Sequence, residues 1–328
     1  MKALGVVAIG RNEGERLKRC IDSVLMAAEA IVYVDSGSTD GSVAYARGMG
    51  VEVVELDTSI PFTAARARNA GLARLLERFP DTEYVQFVDG DCEFADGWFE
   101  AAVAAVEERD EIAIVCGRRR ERHPEATIYN RLCDMEWDTP VGEAKACGGD
   151  ALCRVDAIQQ VDAFNPALIA GEEPEMCFRL RHRGWKILRI DAEMTLHDAA
   201  MAEFGQWWRR NVRAGHAYAE NAWMHGKSPE RWRVKEVRSI VLWGAVMPAL
   251  ALALAWPSRA LSLTGLTLLY IFQGWRVYRY MKQRGFASAE ASLYSFFTLL
   301  GKFPMFQGVV QFHWARLTGK RRALIEYK

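Results

Sequence analysis

The stretch that decides the fold is YVQFVDGDCEF, residues 84–94. Its first part, Tyr84–Val88, is a mostly apolar run of residue types that favour a strand, and it ends abruptly at Asp89-Gly90-Asp91. Two carboxylates one residue apart at the end of a strand repel each other when both are ionised. The pattern therefore predicts a buried strand whose carboxyl end carries a site for something positively charged.

Strand-like and helix-like segments alternate ahead of this stretch. The predicted strands are LGVVAI (4–9), AIVYVD (30–35) and VEVVEL (51–56), and the predicted helices are EGERLKRCIDSVLMA (13–27), VAYARGMG (43–50) and TAARARNAGLARLLERF (63–79). Such alternation predicts an α/β fold, a Rossmann-like and mainly parallel sheet flanked by helices. Ligands of such sheets bind at the carboxyl ends of the strands, where Asp35, Asp89 and Asp91 fall.

The composition of the chain limits the function classes. The 328 residues carry 42 basic and 42 acidic side chains, and this balance argues against a general nucleic-acid binder. The seven cysteines form no C-x-x-C pair, which is typical of reduced thiols in a cytosolic setting. The apolar run in MKALGVVAIG is too short for a signal peptide, and we expect it to be the first strand.

The last third of the chain has a different composition. Ile240–Trp256 and Ala260–Trp275 contain no charged residue, and only PSR separates them. A helix of about 17 residues spans roughly 26 Å, slightly less than a hydrocarbon core of about 30 Å. Basic residues flank the pair on both outer sides, namely Arg231, Arg233, Lys235 and Arg238 before it and Arg276, Arg279, Lys282 and Arg284 after it. Because basic flanks favour the cytoplasmic side, a membrane hairpin with both ends cytoplasmic is predicted; two buried helices of a soluble domain are the alternative.

A third apolar stretch, residues 293–314, is interrupted by Lys302 and Pro304. Basic residues follow it, namely Arg316, Lys320, Arg321 and Arg322. A full span would carry this basic tail across the membrane, so we expect a helix that lies in the interface. The predicted organisation is an α/β domain over residues 1–225, a basic juxtamembrane linker over 226–238, and a transmembrane hairpin with an interfacial helix over 239–328.

Several polar residues are candidates for a site around the Asp-x-Asp pair. An Asp-x-Asp at a strand end can hold a divalent cation through carboxylate oxygens, although a solvated turn is also compatible with it. Asp35 can accept hydrogen bonds from a base or a ribose. Arg66 and Arg68, in ARARNAG, are candidate partners of a diphosphate.

Later segments add further candidates in the same order along the chain. CGGDALCR (147–154) contains paired glycines that permit close backbone approach, and GEEPEMCFRLRHRGW (171–185) places Glu172 and Glu173 at a predicted helix start. His197, in LHD, can complete a metal shell as a neutral imidazole.

Over residues 4–215, the series GRNEGERL, VDSGSTDGS, ARNAG, VDGDCEF, GGDALCR and GEEPEMCFRLRHRGW resembles the membrane-associated bacterial type of family 2 glycosyltransferase, which has a GT-A fold. The resemblance implies that Asp89 meets the ribose, that Asp91 binds Mg or Mn, and that Glu173 is the general base with Glu172 as its rival. It also implies a nucleotide-sugar pocket lined by Gly10, Arg11, Asn12, Glu13, Asp35 and Ser36, of which Ser36 replaces a frequent second Asp. Gly148, Gly149 and Asp150 are assigned to the acceptor or the diphosphate.

The segment FGQWWRRNVRAG (204–215) resembles the Q-x-x-R-W motif of processive family members, but its final tryptophan is missing. Two interpretations stay open: an interfacial helix with tryptophans at the headgroups, or an acceptor or diphosphate role for Arg209 and Arg213. Transfer of single sugars is predicted rather than polymer export.

Together these features predict a metal-dependent, inverting glycosyltransferase. It would move a single sugar from a UDP- or GDP-linked donor to a hydroxyl of a saccharide or lipid-linked acceptor, with no nucleic acid as partner. We expect it in the inner (cytoplasmic) membrane, with its catalytic domain facing the cytoplasm. The alternatives are a membrane-anchored nucleotidyltransferase and a non-catalytic adaptor that binds sugar nucleotides.

Overall fold

The structure is a computed structural model that describes residues 3–28 and 30–319. Its chain divides into two compact units. The first contains the residues up to Pro124 together with Glu136–Ala200, and the second contains Glu125–Met135 and the residues from Met201 onward. The predicted basic tail residues Lys320, Arg321 and Arg322 lie outside the described residues.

The first unit is built on a sheet of nine strands. The strands are β1 (Leu4–Gly10), β2 (Ala30–Asp35), β3 (Glu52–Glu55), β4 (Tyr84–Asp89), β5 (Cys92–Phe94), β6 (Ile112–Glu121), β7 (Gly142–Ala144), β8 (Ala151–Arg154) and β9 (Lys186–His197). The helices from the start of the chain are α1 (Glu15–Val24), α2 (Ser42–Gly48), α3 (Ala64–Arg78), α4 (Trp98–Glu107), α5 (Ile128–Trp137), α6 (Val155–Gln159) and α7 (Glu172–His182). The strand order is β3-β2-β1-β4-β8-β6-β9-β5, and β7 pairs with β9.

The four predicted strands form the parallel part of this sheet. β1 lies between β2 and β4, and the register places Gly10 opposite Asp35 and Ile9 opposite Asp89. β1 and β2 are buried along almost their whole length, as expected for strands that helices cover on both faces. The predicted α/β alternation is therefore confirmed, and the carboxyl ends of β1, β2 and β4 meet at one edge.

The remaining strands make the sheet mixed. β8 runs antiparallel to both β4 and β6, while β6 and β9 run parallel to each other. β5 pairs antiparallel with the end of β9, so that Cys92 lies opposite His197. This pairing brings the segment after Asp91 next to a residue more than a hundred positions later in the sequence.

The second unit is helical apart from its connecting segments. Its later helices are α8 (Phe204–His225), α9 (Val234–Val241), α10 (Met247–Ala253), α11 (Leu261–Gln283), α12 (Ser288–Leu300) and α13 (Lys302–Thr318), and a π-helical turn, Leu242–Val246, joins α9 to α10. α8 and α13 touch backbone to backbone: a Cβ on Gly215 would lie 2.0 Å from the carbonyl oxygen of Met305, and one on Gly308 would lie 2.0 Å from that of Val212. Glycine is required at both positions.

One helix in the described part of the chain is long and apolar enough to cross a membrane, judged by length and composition alone. It is the continuous helix Val234–Ala253, and only 17% of its most apolar window is buried. The second predicted span lies in α11, which the same criterion does not select and whose later turns contain Gln273, Arg276 and Arg279.

Several large apolar side chains of α10 and α11 are exposed. More than half of the surface is exposed for Leu250, Leu252, Leu268, Ile271 and Phe272. These side chains are therefore not buried within the described part of the chain, and the predicted membrane hairpin stays a prediction.

Candidate active site

The loop after β2 is organised around Asp35. This carboxylate is buried; one oxygen accepts hydrogen bonds from the amides of Gly37 and Ser38, both at 2.8 Å, and the other accepts from the Tyr33 hydroxyl at 3.0 Å. Burial, together with Asp35, raises the pKa of Tyr33. Asp35 thus holds the turn that follows the strand, a task that the sequence did not indicate.

The loop after β1 is joined to this turn. The Asn12 amide donates to the Ser38 hydroxyl at 2.8 Å, and the Asn12 side-chain oxygen accepts from the Thr39 amide at 2.7 Å. Asn12 has a left-handed backbone, with φ of 54°. The Ser36 amide donates to the Gly10 carbonyl at 3.1 Å, and the Ser36 hydroxyl is buried without a hydrogen-bond partner. The structure therefore brings these predicted nucleotide-pocket residues together at one edge.

The other two residues predicted for this pocket lie beside Asn12 in the same loop. Glu13 forms an ion pair with Arg16 at 2.8 Å, and Arg11 is exposed. Both belong to the loop at the carboxyl end of β1.

Arg68 connects the Asp-x-Asp segment to the start of α7. Its guanidinium is buried and donates to Asp89 at 2.8 Å and to Glu172 at 2.7 Å, although Arg68 and Glu172 lie 104 positions apart. Burial by itself lowers the pKa of Arg68, but Asp89 and Glu172 raise it above its ordinary value. Arg68 is therefore a fixed cation between two carboxylates.

Arg66 has different surroundings from Arg68. Its guanidinium donates to the backbone carbonyls of Ile60 and Asp57, both at 2.8 Å. Arg66 and Arg68 are two positions apart on α3, and residues with this spacing do not face each other on a helix. Of the two predicted diphosphate partners, only Arg68 is joined to the Asp-x-Asp segment by a described hydrogen bond.

Asp91 and His197 lie together as predicted. The Asp91 Oδ1 and His197 Nε2 atoms are 3.4 Å apart, and both side chains are buried. The Cys92 thiol belongs to the same cluster, whose ligand atoms all lie within 4.8 Å of one another. Burial raises the pKa of Cys92 well above its usual range. Sulfur is a soft ligand, whereas hard cations prefer oxygen. The carboxylate and the imidazole are the two groups here that suit Mg or Mn.

Asp150 has several described partners inside the fold. It is fully buried, forms an ion pair with Arg119 at 2.8 Å, and accepts from the Thr195 hydroxyl at 3.0 Å and from the Asp89 amide at 3.3 Å. Its carboxylate has no exposed surface, and its predicted role at an acceptor or a diphosphate stays a prediction. Asp150 fixes the carboxyl end of β4.

Gly148 and Gly149 allow the backbone to pass close to the charged residues. Gly148 has a left-handed φ of 84°. A Cβ on Gly149 would lie 3.0 Å from a guanidinium nitrogen of Arg68 and 3.1 Å from a carboxylate oxygen of Asp89. Gly149 therefore borders the space beside Asp89, and the role of the paired glycines at an acceptor or a diphosphate stays a prediction.

The two glutamates at the start of α7 point to different partners. Glu172 pairs with Arg68, whereas one oxygen of Glu173 accepts from the Cys147 amide at 2.5 Å and from the Cys177 thiol at 3.0 Å. Both carboxylates are buried. Glu172 is thereby held by a cation, and the described partners of Glu173 are uncharged.

Arg119 is a site residue that the sequence analysis missed. It pairs with Asp150, and its guanidinium lies 5.4 Å from the centre of the Trp137 ring. Arg119 and Glu121 are two positions apart on β6 and share a face; Glu121 Oε2 lies 3.9 Å from His197 Nδ1. The alternation in GRRRE was the signal that could have identified them.

The other two predicted site residues belong to the second unit. Arg209 and Arg213 lie on α8, which carries the FGQWWRRNVRAG segment. Their predicted role stays a prediction.

Comparisons with known proteins show which family the first part of the chain matches. Residues 6–150 match the model of the glycosyl transferase family 2. The pre-mycofactocin glycosyltransferase of Mycobacterium tuberculosis is 26% identical over 237 residues, which cover 67% of this chain and 47% of that protein. The chain thus spans about half the length of the curated relatives it matches.

Two solved structures show the fold. The mannosyltransferase PcManGT from Pyrobaculum calidifontis, in complex with GDP-Man and Mn2+, aligns with a TM-score of 0.62 at 17% identity, over 95% of this chain and 87% of that one. S. aureus TarS 1-349 aligns with a TM-score of 0.52 at 13% identity, over 97% and 92% of the two chains. Residues 6–150 therefore match glycosyl transferase family 2, and the chain has the GT-A fold.

Proposed function

We propose that this enzyme transfers one sugar, with inversion, from a UDP- or GDP-linked donor to a hydroxyl of a saccharide or lipid-linked acceptor, with a divalent cation as cofactor. The observation that carries the proposal is the convergence of Asp89, Asp91, His197 and the Glu172–Glu173 pair around one strand end of a family 2 fold. Each group has a part in the chemistry of that transfer.

Asp91 and His197 would hold the cation. A carboxylate and an imidazole nitrogen 3.4 Å apart can both reach one metal ion, and oxygen-rich shells suit Mg and Mn. The related fold of PcManGT was solved with GDP-Man and Mn2+, which supports this donor class and cofactor. Bound there, the cation would stabilise the negative charge that develops on the departing diphosphate.

Glu173 is the proposed general base. As the acceptor oxygen forms its bond to the anomeric carbon, the bond from that carbon to the diphosphate oxygen breaks, and the acceptor proton passes to the carboxylate. Glu172 would lose its ion pair with buried Arg68 on taking up this proton, whereas the described partners of Glu173 are an amide and a thiol. One displacement on the face opposite the diphosphate inverts the anomeric centre.

A membrane location is part of the proposal. The helix Val234–Ala253 is long enough to span, and large apolar side chains of α10 and α11 are exposed on the chain. Basic residues flank the pair of apolar segments at both outer ends, which favours a hairpin with both ends, and the catalytic unit, on the cytoplasmic side of the inner membrane.

The test incubates the purified chain with Mn2+ and a panel of UDP- and GDP-sugars. It measures donor binding, slow hydrolysis of the donor, and transfer of the sugar to candidate acceptors. Glu173→Gln should lower transfer by at least about a hundredfold, because a general base contributes about 100- to 10,000-fold in rate. Its donor affinity should stay near that of the wild type. Glu172→Gln is the matched control on the neighbouring position.

Two outcomes would contradict the assignment. If Glu172→Gln loses transfer while Glu173→Gln keeps it, the base is the residue paired with Arg68. If no donor of the panel is bound or hydrolysed by the wild type, the proposed donor class is wrong.

A further inference from the structure

Two cysteines and a glutamate form a second cluster of metal-binding type in the first unit. The Cys147 and Cys177 sulfurs lie 3.7 Å apart, and the Cys177 sulfur lies 3.0 Å from an oxygen of Glu173. The three ligand atoms all lie within 4.8 Å of one another. Cys177 follows Glu173 by four positions on α7, so that both side chains lie on one face of the helix.

The spacing of the sulfurs fits a tetrahedral thiophilic ion. Two thiolates that bind one zinc at about 2.3 Å each lie about 3.8 Å apart, close to the separation of Cys147 and Cys177. A carboxylate oxygen bound to the same ion would lie about 3.6 Å from each sulfur. The Glu173 oxygen lies 3.0 Å from the Cys177 sulfur and within 4.8 Å of the Cys147 sulfur. A fourth position is left for water.

The surroundings also permit an ion to enter. Cys177 and Glu173 are buried, but Cys147 is partly exposed and begins the CGGD segment, whose glycines follow directly. Soft thiolate ligands select zinc over the Mg or Mn proposed for Asp91 and His197. The two clusters therefore differ in the class of metal that they bind.

We propose that Cys147, Cys177 and Glu173 form an inhibitory zinc site. Two thiol protons leave to solvent as the two sulfur–zinc bonds form, and the Glu173 carboxylate becomes the third ligand. A carboxylate that is bound to zinc cannot take up the proton of the acceptor. Inhibition rests on the proposed role of Glu173 as base, whereas binding of the ion does not.

The first experiment measures binding alone. The full-length chain, kept reduced with a phosphine under argon, is titrated with Cd2+ while the ultraviolet thiolate-to-metal charge-transfer band is recorded, and Zn2+ affinity is obtained by competition with a chromophoric chelator. The wild type should show a band of two-thiolate intensity. Cys147→Ser and Cys177→Ser should each lower that band by about half or more and weaken Zn2+ binding at least tenfold.

The controls separate this cluster from other thiols. Cys133→Ser replaces a buried thiol on α5, and His197→Ala removes a ligand of the Asp91 cluster; both should keep the two-thiolate band. In the wild type, Zn2+ should also slow alkylation of Cys147 at least tenfold, as measured by mass spectrometry. This measurement does not depend on the folding of any variant. A band that survives in both serine variants, or alkylation that Zn2+ does not slow, overturns the proposal.

The second experiment measures inhibition. Low micromolar Zn2+ with excess Mn2+ should inhibit the wild type, and the ratio of rates with and without Zn2+ should approach one in Cys147→Ser. Equal inhibition of the two proteins would overturn the inhibitory role. A wild type that binds Cd2+ through two thiolates but never transfers sugar would instead disprove the proposed function and leave the metal site standing.

Discussion

Arg68→Met should destabilise the first unit by an amount set by two buried contacts. Arg68 makes charge-assisted hydrogen bonds to Asp89 and Glu172, and each such bond contributes about 1.5–3 kcal/mol. Removing one partner of a buried ion pair costs about 3–5 kcal/mol, because the remaining charge stays buried. The Asp89 side chain is 33% exposed, so water screens its share. We therefore expect a loss of about 3 kcal/mol in the free energy of unfolding.

The assay is thermal and urea unfolding of the full-length chain, followed by far-UV circular dichroism. For a unit of this size, about 3 kcal/mol corresponds to a fall of roughly 6–12 °C in Tm. Arg66→Met is the matched control, because Arg66 lies on the same helix and its guanidinium donates to the backbone carbonyls of two exposed residues, Ile60 and Asp57. Equal effects of the two substitutions would refute the reasoning.

Three further predictions concern the metal, the pH dependence of stability and the topology. Asp91→Asn should weaken Mn2+ binding more than His197→Ala does, because it removes a formal charge from the metal ligands. Electron paramagnetic resonance of free Mn2+ measures the affinity of both variants. Unchanged binding in Asp91→Asn would exclude Asp91 as a metal ligand. Burial raises the pKa of Glu220 to about 7. Glu220 therefore loses its proton at a lower pH in the unfolded chain than in the folded one. As the pH rises from about 4.5 to 7, the free energy of unfolding should fall in the wild type and fall less in Glu220→Gln. Identical profiles of Tm against pH in the two proteins would contradict this. High-salt washing should leave the protein in the membrane fraction, and a reporter fused after Arg284 should read cytoplasmic; release by salt alone would refute the hairpin.

The sequence specified the first half of the fold because its signal was local. Strands β1 to β4 are short apolar runs closed by turn residues, and a strand that is buried on both faces shows this pattern without any knowledge of its neighbours. The mixed part of the sheet depends on which edge β8 joins. The position of β8 is determined by pairing with strands that are distant in sequence, and no short segment of sequence indicates this pairing.

The sequence predicted which residues belong to the candidate site, but it did not predict most of the contacts between them. The Asp91–His197 proximity followed from the motifs, whereas the bridge from Arg68 to Glu172 joins residues that no spacing rule relates. Asp150 was expected beside an acceptor or a diphosphate, and the sequence did not indicate that its buried carboxylate pairs with Arg119. A charged residue in a motif gives the same sequence signal whether it binds a ligand or stabilises the fold. Its burial and contacts in the structure are needed to distinguish these two roles.

The close contact of α8 with α13 has a consequence for how the chain is made. Trp208 on α8 bonds to Gln307 on α13 at 2.9 Å, across 99 positions of sequence, and Gly215 meets the backbone of Met305. During synthesis, α8 therefore cannot make these contacts until α13 has left the ribosome, and the surface of α8 around Gly215 stays uncovered by α13 until then. A nascent chain that stalls before Lys302 would leave this surface of α8 exposed. We expect chaperones and proteases to recognise such chains preferentially.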